Sequence, residues 1–116
     1  MSNVKILLVD DHKILIDGIK NMLDDSCFLV VAEADNSLQA LQILENTSVD
    51  IMITDIQMPG DDGIDLIKKT RNHYPKVKIV VLSMHDEKSI VLDAINLGVK
   101  AYILKNISQK KLLSAL

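Results

Sequence analysis

Five short, nearly continuous apolar runs restrict the fold of this chain more than any other feature. They are 4–9, broken only by Lys5, then 28–34, 51–54, 77–82 and 101–104. Each is of strand length and mostly aliphatic or β-branched. Runs that stay apolar, instead of alternating, belong to strands covered on both faces, as in a parallel sheet.

The intervening segments carry helical periodicity. Segment 13–24 places Leu15, Ile19, Met22 and Leu23 on one face. Segment 38–45 carries Leu41 and Leu44, with Asn36 or Ser37 as its cap. Segment 63–72 carries Ile64 and Ile67 and is stopped by Tyr74-Pro75. Segment 87–97 carries Ile90, Val91, Ala94 and Ile95, and Gly98 follows as a C-terminal cap. Ser108 opens a last helix with Leu112, Leu113 and Leu116. Five strand-helix repeats predict an α/β domain: a parallel sheet, helices on both faces and right-handed crossovers.

The 116 residues suffice for one domain with its own core. Only one Phe and two Tyr are present, so that core is aliphatic. Charges interrupt every apolar run well short of the ~18–20 residues of a membrane span, and the N-terminus lacks the pattern of a signal peptide. Cys27 is the one cysteine; it fits a reducing, cytoplasmic compartment and reads as a small buried hydrophobe. A formal net charge of −3 argues against nucleic-acid binding through the domain's overall field.

In open parallel sheets, chemistry sits outside the carboxyl ends of the strands. That rule selects Asp10 and Asp11, Asp55, Ser83 and Lys105. Asp10-Asp11 alone reads equally as a strand end with a helix cap or as a metal site. Carboxylates about 4 Å apart repel by roughly 4 kcal/mol at an effective dielectric of 20, and a hard divalent cation such as Mg2+ offsets that. Asp55 precedes Ile56-Gln57-Met58-Pro59-Gly60, a tight turn able to aim a backbone carbonyl at the same ion. A carboxylate is competent to attack phosphorus and form an acyl phosphate. Lys105 and Ser83 offer a charge and a hydrogen bond to phosphoryl oxygens, although a lone lysine or serine there reads as well as a solvated side chain or a turn cap.

These residues carry a resemblance. Val9-Asp10-Asp11-His12, the stretch from Asp55 to Gly63, Val80 to His85, and Gly98 to Lys105 together resemble the receiver domains of bacterial two-component response regulators, over the full length. Asp10-Asp11-His12, Leu82-Ser83-Met84-His85 and the lack of proline after Lys105 look most like the subfamily with a C-terminal LuxR-type helix-turn-helix effector. The resemblance implies the flavodoxin-like (βα)5 fold, with strand order 2-1-3-4-5. It implies that Asp55 accepts a phosphoryl group from a sensor histidine kinase. Asp10, Asp11, Asp55 and the Gln57 backbone carbonyl would hold Mg2+, Lys105 would contact the phosphoryl group, and Ser83 and Tyr102 would form the switch. In the family such positions as Gln57 and His85 influence hydrolysis, so Gln57 or His85 would tune dephosphorylation, and a phosphorylation-dependent homodimer is implied as well.

Asn106 stands where proline, with a cis bond, is common in the family. A non-proline cis bond costs about 2.5–4 kcal/mol, so the geometry of the Lys105–Asn106 bond is left open. Lys13 and Ile16 replace the Pro and Arg usual in the subfamily, a change expected to act on dimer contacts. The expected organisation is one receiver domain over 1–116 with its last helix cut short and a DNA-binding domain beyond it. Such a domain is a phosphorylation-dependent switch that regulates transcription, not a turnover enzyme. A stand-alone receiver acting on a protein partner is the alternative. A haloacid-dehalogenase-like phosphatase needs an Asp-x-Asp motif at the first strand, and a flavin or dinucleotide carrier needs a Gly-rich loop; neither is present.

Overall fold

The computed structural model describes residues 4–23, 27–58, 61–83, 88–104 and 116, with backbone alone at 57–58 and 61–62. Along the chain run β1 (Val4–Val9), α1 (Lys13–Leu23), β2 (Phe28–Ala34), α2 (Ser37–Asn46), β3 (Ile51–Thr54), β4 (Gln57–Met58), β5 (Asp61–Asp62), α3 (Gly63–His73), β6 (Lys78–Ser83), α4 (Lys88–Asn96) and β7 (Ala101–Leu104). Five strands form one parallel sheet in the order β2-β1-β3-β6-β7. Numbered among themselves they read 2-1-3-4-5, the order the resemblance implied. The expected helix from Ser108 lies outside the described residues.

The period of two along each strand divides the core. Ile6, Leu8, Ile51, Ile53, Val80, Leu82 and Ile103 face α1, where they meet Ile16, Ile19 and Leu23. Leu7, Val9, Met52, Ile79 and Val81 face the opposite way, against Ala40 and Leu44 of α2, Leu66 and Ile67 of α3 and Ala94 of α4. Burying one such aliphatic side chain contributes about 1.5–3 kcal/mol. Strands β1, β3 and β6 are therefore apolar on both sides, which is why their runs do not alternate. β2, at the edge, is only half-buried. Its register slips by one residue, with Ile6 opposite Val30 and Leu7 opposite Ala32, a bulge of the kind that recurs at sheet edges.

Helix ends follow local chemistry. Asn36 caps α2: its backbone is extended and its Oδ1 accepts the Gln39 N–H at 2.9 Å. Gly98 follows the end of α4, and its φ of +84° is a conformation that favours glycine. The Lys20 ammonium of α1 donates to Glu33 of β2 at 2.6 Å; that hydrogen bond holds Lys20 above the ordinary lysine range.

Four expectations need correction. Cys27 is exposed, not buried, because it precedes β2 at the rim of the sheet, where its carbonyl accepts the Val4 N–H. Ile16, left off the apolar face of the first helix, belongs to the core, since α1 turns it onto Leu8 and Ile53. Ile95 is exposed, and Ala94 is the α4 residue that is buried. The fourth strand runs from Lys78 to Ser83, one residue later than its apolar run.

Candidate metal and phosphoryl site

Sheet register brings the acids together. Val9 stands opposite Thr54, so Asp10 and Asp55 leave adjacent strands at the same level. Thr54 in turn stands opposite Val81, and β6 continues two residues further to Ser83, which pairs with Leu104. The Asp55 N–H donates to the Val9 carbonyl at 3.0 Å and the Asp10 N–H to the Ala34 carbonyl at 2.9 Å, so both backbones remain tied to the ladder. Asp10 is 5% exposed, Asp55 4% and Ser83 0%. Below them, Leu8, Ile16, Ile53 and Leu82 close an apolar floor with a void of only about 10 Å3. Beside them, a cavity of about 270 Å3 lined by Asp10, Asp11, Lys13, Glu33 and Gln39 admits solvent.

The Asp55 segment is braced from below and from the side. Asp55 Oδ1 accepts the Ile56 N–H at 2.7 Å, and the buried Thr54 hydroxyl donates to the Asp55 carbonyl at 2.9 Å. The Gly63 N–H donates to the Ile56 carbonyl at 3.1 Å. A Cβ on Gly63 would stand 2.5 Å from the Ile56 carbonyl oxygen and 2.7 Å from that of Asp55. Glycine is thus required where α3 meets the Asp55–Ile56 backbone. Between these two points Gln57 pairs with Asp62 and Met58 with Asp61, antiparallel; Pro59 and Gly60 lie outside the described residues.

Carboxylate oxygens of Asp10, Asp11 and Asp55 and a ring nitrogen of His12 all fall within 4.8 Å of one another. Three formal negative charges, two of them buried, repel strongly in so small a space. The donors are mostly hard oxygens, and one wall is open to solvent. That is the donor set of a hard divalent cation which keeps several waters, and it fits Mg2+. His12 supplies a partial counterweight: its Nδ1 lies 2.8 Å from Asp10 Oδ1 and 3.2 Å from Asp11 Oδ1.

Of the residues selected from sequence, Asp10, Asp11, Asp55 and Ser83 are gathered at this edge. Tyr102 is half-buried on β7 and packs against the core on the α2–α4 side. Lys105 and His85 lie outside the described residues, as does the Lys105–Asn106 bond, and of Gln57 only the backbone is described. Three contributors were not singled out beforehand. Thr54 looked like the last residue of an apolar strand, and His12 like part of a motif. Gly63 looked like an ordinary helix start, although a glycine eight residues beyond a candidate acceptor was the available signal.

Known proteins share this arrangement. The family described as the response regulator receiver domain matches residues 6–116. The transcriptional regulatory protein DegU of Brevibacillus brevis is 31% identical over 115 residues, which are 98% of this chain and 49% of DegU. The chemotaxis protein CheY of Listeria monocytogenes is 36% identical over 113 residues, 97% of this chain and 95% of CheY. The structure of RcsB from Salmonella enterica serovar Typhimurium, bound to promoter rprA in the presence of phosphomimetic BeF3-, superposes with a TM-score of 0.90 at 32% identity. That match covers 97% of this chain and 95% of the RcsB chain. The chain spans about half the length of the transcriptional regulator DegU and nearly all of the chemotaxis protein. The dehalogenase-like and nucleotide-carrier readings have no support in these matches. The chain belongs to the receiver domains of two-component response regulators, together with those of LuxR-type regulators.

Proposed function

We propose that this domain is a phosphorylation-dependent switch in which Asp55 takes a phosphoryl group from a sensor histidine kinase. The observation that carries this reading is the pair of buried carboxylates, Asp10 and Asp55, leaving adjacent strands at one level with Asp11 beside them. Asp10, Asp11, Asp55 and the Gln57 carbonyl would hold Mg2+, which would supply the positive charge that lets an anionic carboxylate approach an anionic phosphoryl group. An Asp55 carboxylate oxygen attacks phosphorus; the new O–P bond forms as the bond to the donor's imidazole nitrogen breaks, and that imidazole leaves with the electron pair and takes a proton. The Ile56 N–H on Oδ1 and the braced Asp55 carbonyl fix the acceptor's direction of approach.

The acyl phosphate adds about −1.5 to −2 charges. Lys105 and Ser83 answer that charge, Ser83 draws its loop inward, and Tyr102 follows into the space. Gln57 and His85 set the lifetime of the phosphoryl group by controlling the attacking water. The output face is α4 and β7. Exposed Leu92, Ile95 and Leu104 on these elements supply apolar area for a homodimer or a partner domain. The domain modifies itself and does not turn over a substrate.

The half-length match to DegU, and the match to only 57% of the RcsB chain in an RcsB–DNA complex, favour a receiver that regulates transcription through a DNA-binding effector of its own chain. The near-complete match to CheY favours the second reading, a stand-alone receiver acting on a protein partner. Among the described residues no helix is long and apolar enough to cross a membrane; the proposed site of action is the cytoplasm. Incubation with Mg2+ and a small-molecule phosphodonor tests the core of the proposal. The wild type gains the mass of one phosphoryl group, and Asp55→Asn abolishes the gain; an undiminished gain in that variant contradicts it.

A further inference from the structure

We propose that His12 occludes the metal site: its imidazole hydrogen-bonds Asp10 and lies against Asp11, the two carboxylates that receive the cation, and it swings away when the cation enters. The inference rests on the reading of Asp10 and Asp11 as metal ligands. Asp10 Oδ1 accepts two hydrogen bonds from one residue, from the His12 backbone N–H at 2.9 Å and from the ring Nδ1 at 2.8 Å. The same Nδ1 lies 3.2 Å from Asp11 Oδ1. A carboxylate oxygen has two lone-pair directions, and both of these are engaged. A cation that binds this oxygen displaces one donor.

Of the two donors, the ring is the one on a rotatable side chain. The His12 carbonyl accepts the Ile16 N–H at 3.1 Å, the first hydrogen bond of α1, so the backbone of His12 is held by the helix. Its N–H sits in a two-residue turn with Asp10 and stays in place. The side chain is 61% exposed, and rotation about its own torsions carries it into solvent. A neutral imidazole with its proton on Nδ1 already makes the Asp10 hydrogen bond. Direct ligation by His12 is the competing role. Mg2+ prefers oxygen to imidazole, and a nitrogen that donates its proton to Asp10 has no lone pair for a metal. His12 is thus a positioning residue that sets the concentration of Mg2+ at which the site is loaded, and it takes no part in the transfer step.

Titration of the full chain with Mg2+ alone, followed by calorimetry at constant ionic strength, tests this without any phosphodonor. His12→Ala and His12→Phe are the variants: one removes the ring, and the other keeps its bulk without hydrogen-bonding nitrogens. Both are expected to bind Mg2+ about two- to tenfold more tightly than wild type, the range for loss of one solvent-exposed competing hydrogen bond. Equal affinity in wild type and variants overturns the inference, and weaker binding in the variants assigns His12 as a ligand instead. Tightening by His12→Ala alone would make bulk the cause and overturns the hydrogen-bond account. Failure of wild type and both variants to bind Mg2+ sinks the underlying site, a separate result.

Discussion

The two ends of the central strands share a core and differ in how they treat carboxylates. At the amino end, Asp50 is exposed; its Oδ2 accepts the Lys5 N–H at 2.8 Å, and its main chain bridges Lys5 and Lys78. It ends a sheet edge as a turn residue, with water on its other side. At the carboxyl end, Asp10 and Asp55 are buried on an apolar floor, and Asp11 joins them. The first arrangement spends a carboxylate on one orphan N–H. The second gathers like charges beside a cavity that admits solvent, a repulsion that a cation would relieve. A carboxylate at a strand end thus becomes a candidate site only where burial and like charge are imposed together.

Metal addition separates the ends most strongly. At about a hundred times its dissociation constant, Mg2+ is expected to stabilise the protein by about 2.7 kcal/mol. Thermal or urea unfolding reads this directly. Asp10→Asn should remove most of that gain and Asp50→Asn none of it; an equal loss in both would erase the distinction.

A smaller effect comes from the brace. Gly63→Ala forces a Cβ against two backbone carbonyls and is expected to cost about 1–3 kcal/mol. Gly18→Ala, in the interior of α1 with nothing within 4 Å of the new Cβ, should gain about 0.5–1 kcal/mol. Urea midpoints of the two variants, moving in opposite directions, sharpen the claim that close approach at the site end is structural. A neutral Gly63→Ala would mean that the acceptor loop yields.

The smallest effect is a change of sign. Without metal, Asp55→Asn keeps an oxygen for the Ile56 N–H and removes one of the repelling charges, so stability should rise by about 1 kcal/mol. Asp50→Asn weakens a charge-assisted bond to Lys5 and should lower stability by about 0.5 kcal/mol. Loss of stability in both variants would show that the buried carboxylates are not strained.

The strands bearing Asp10 and Asp55 were legible because apolar runs and strand bounds coincide at 4–9 and 51–54. Residues following such runs are placed by topology alone. The fourth strand shows where that equivalence fails. Val77 is buried, but its N–H bonds the Tyr74 carbonyl in a turn instead of joining the ladder. Ser83 does join the ladder, yet it is polar, so hydrophobicity ends the run one residue early. The hairpin at Gln57–Met58 and Asp61–Asp62 is too short to leave any periodicity. The role of Gly63 depends on contact with a backbone seven residues upstream in the chain, and the position of the His12 ring on a torsion. Neither distance nor rotamer is written in residue type.

The central claim, that Asp55 is the phosphoryl acceptor, is tested most directly by chemical trapping. Protein treated with Mg2+ and a small-molecule phosphodonor is reduced with borohydride, which converts an aspartyl phosphate to homoserine, and the peptides are then mapped by mass. Homoserine at position 55 and at no other aspartate is the expected result. Homoserine at position 10 or 11, or at none, would contradict the account.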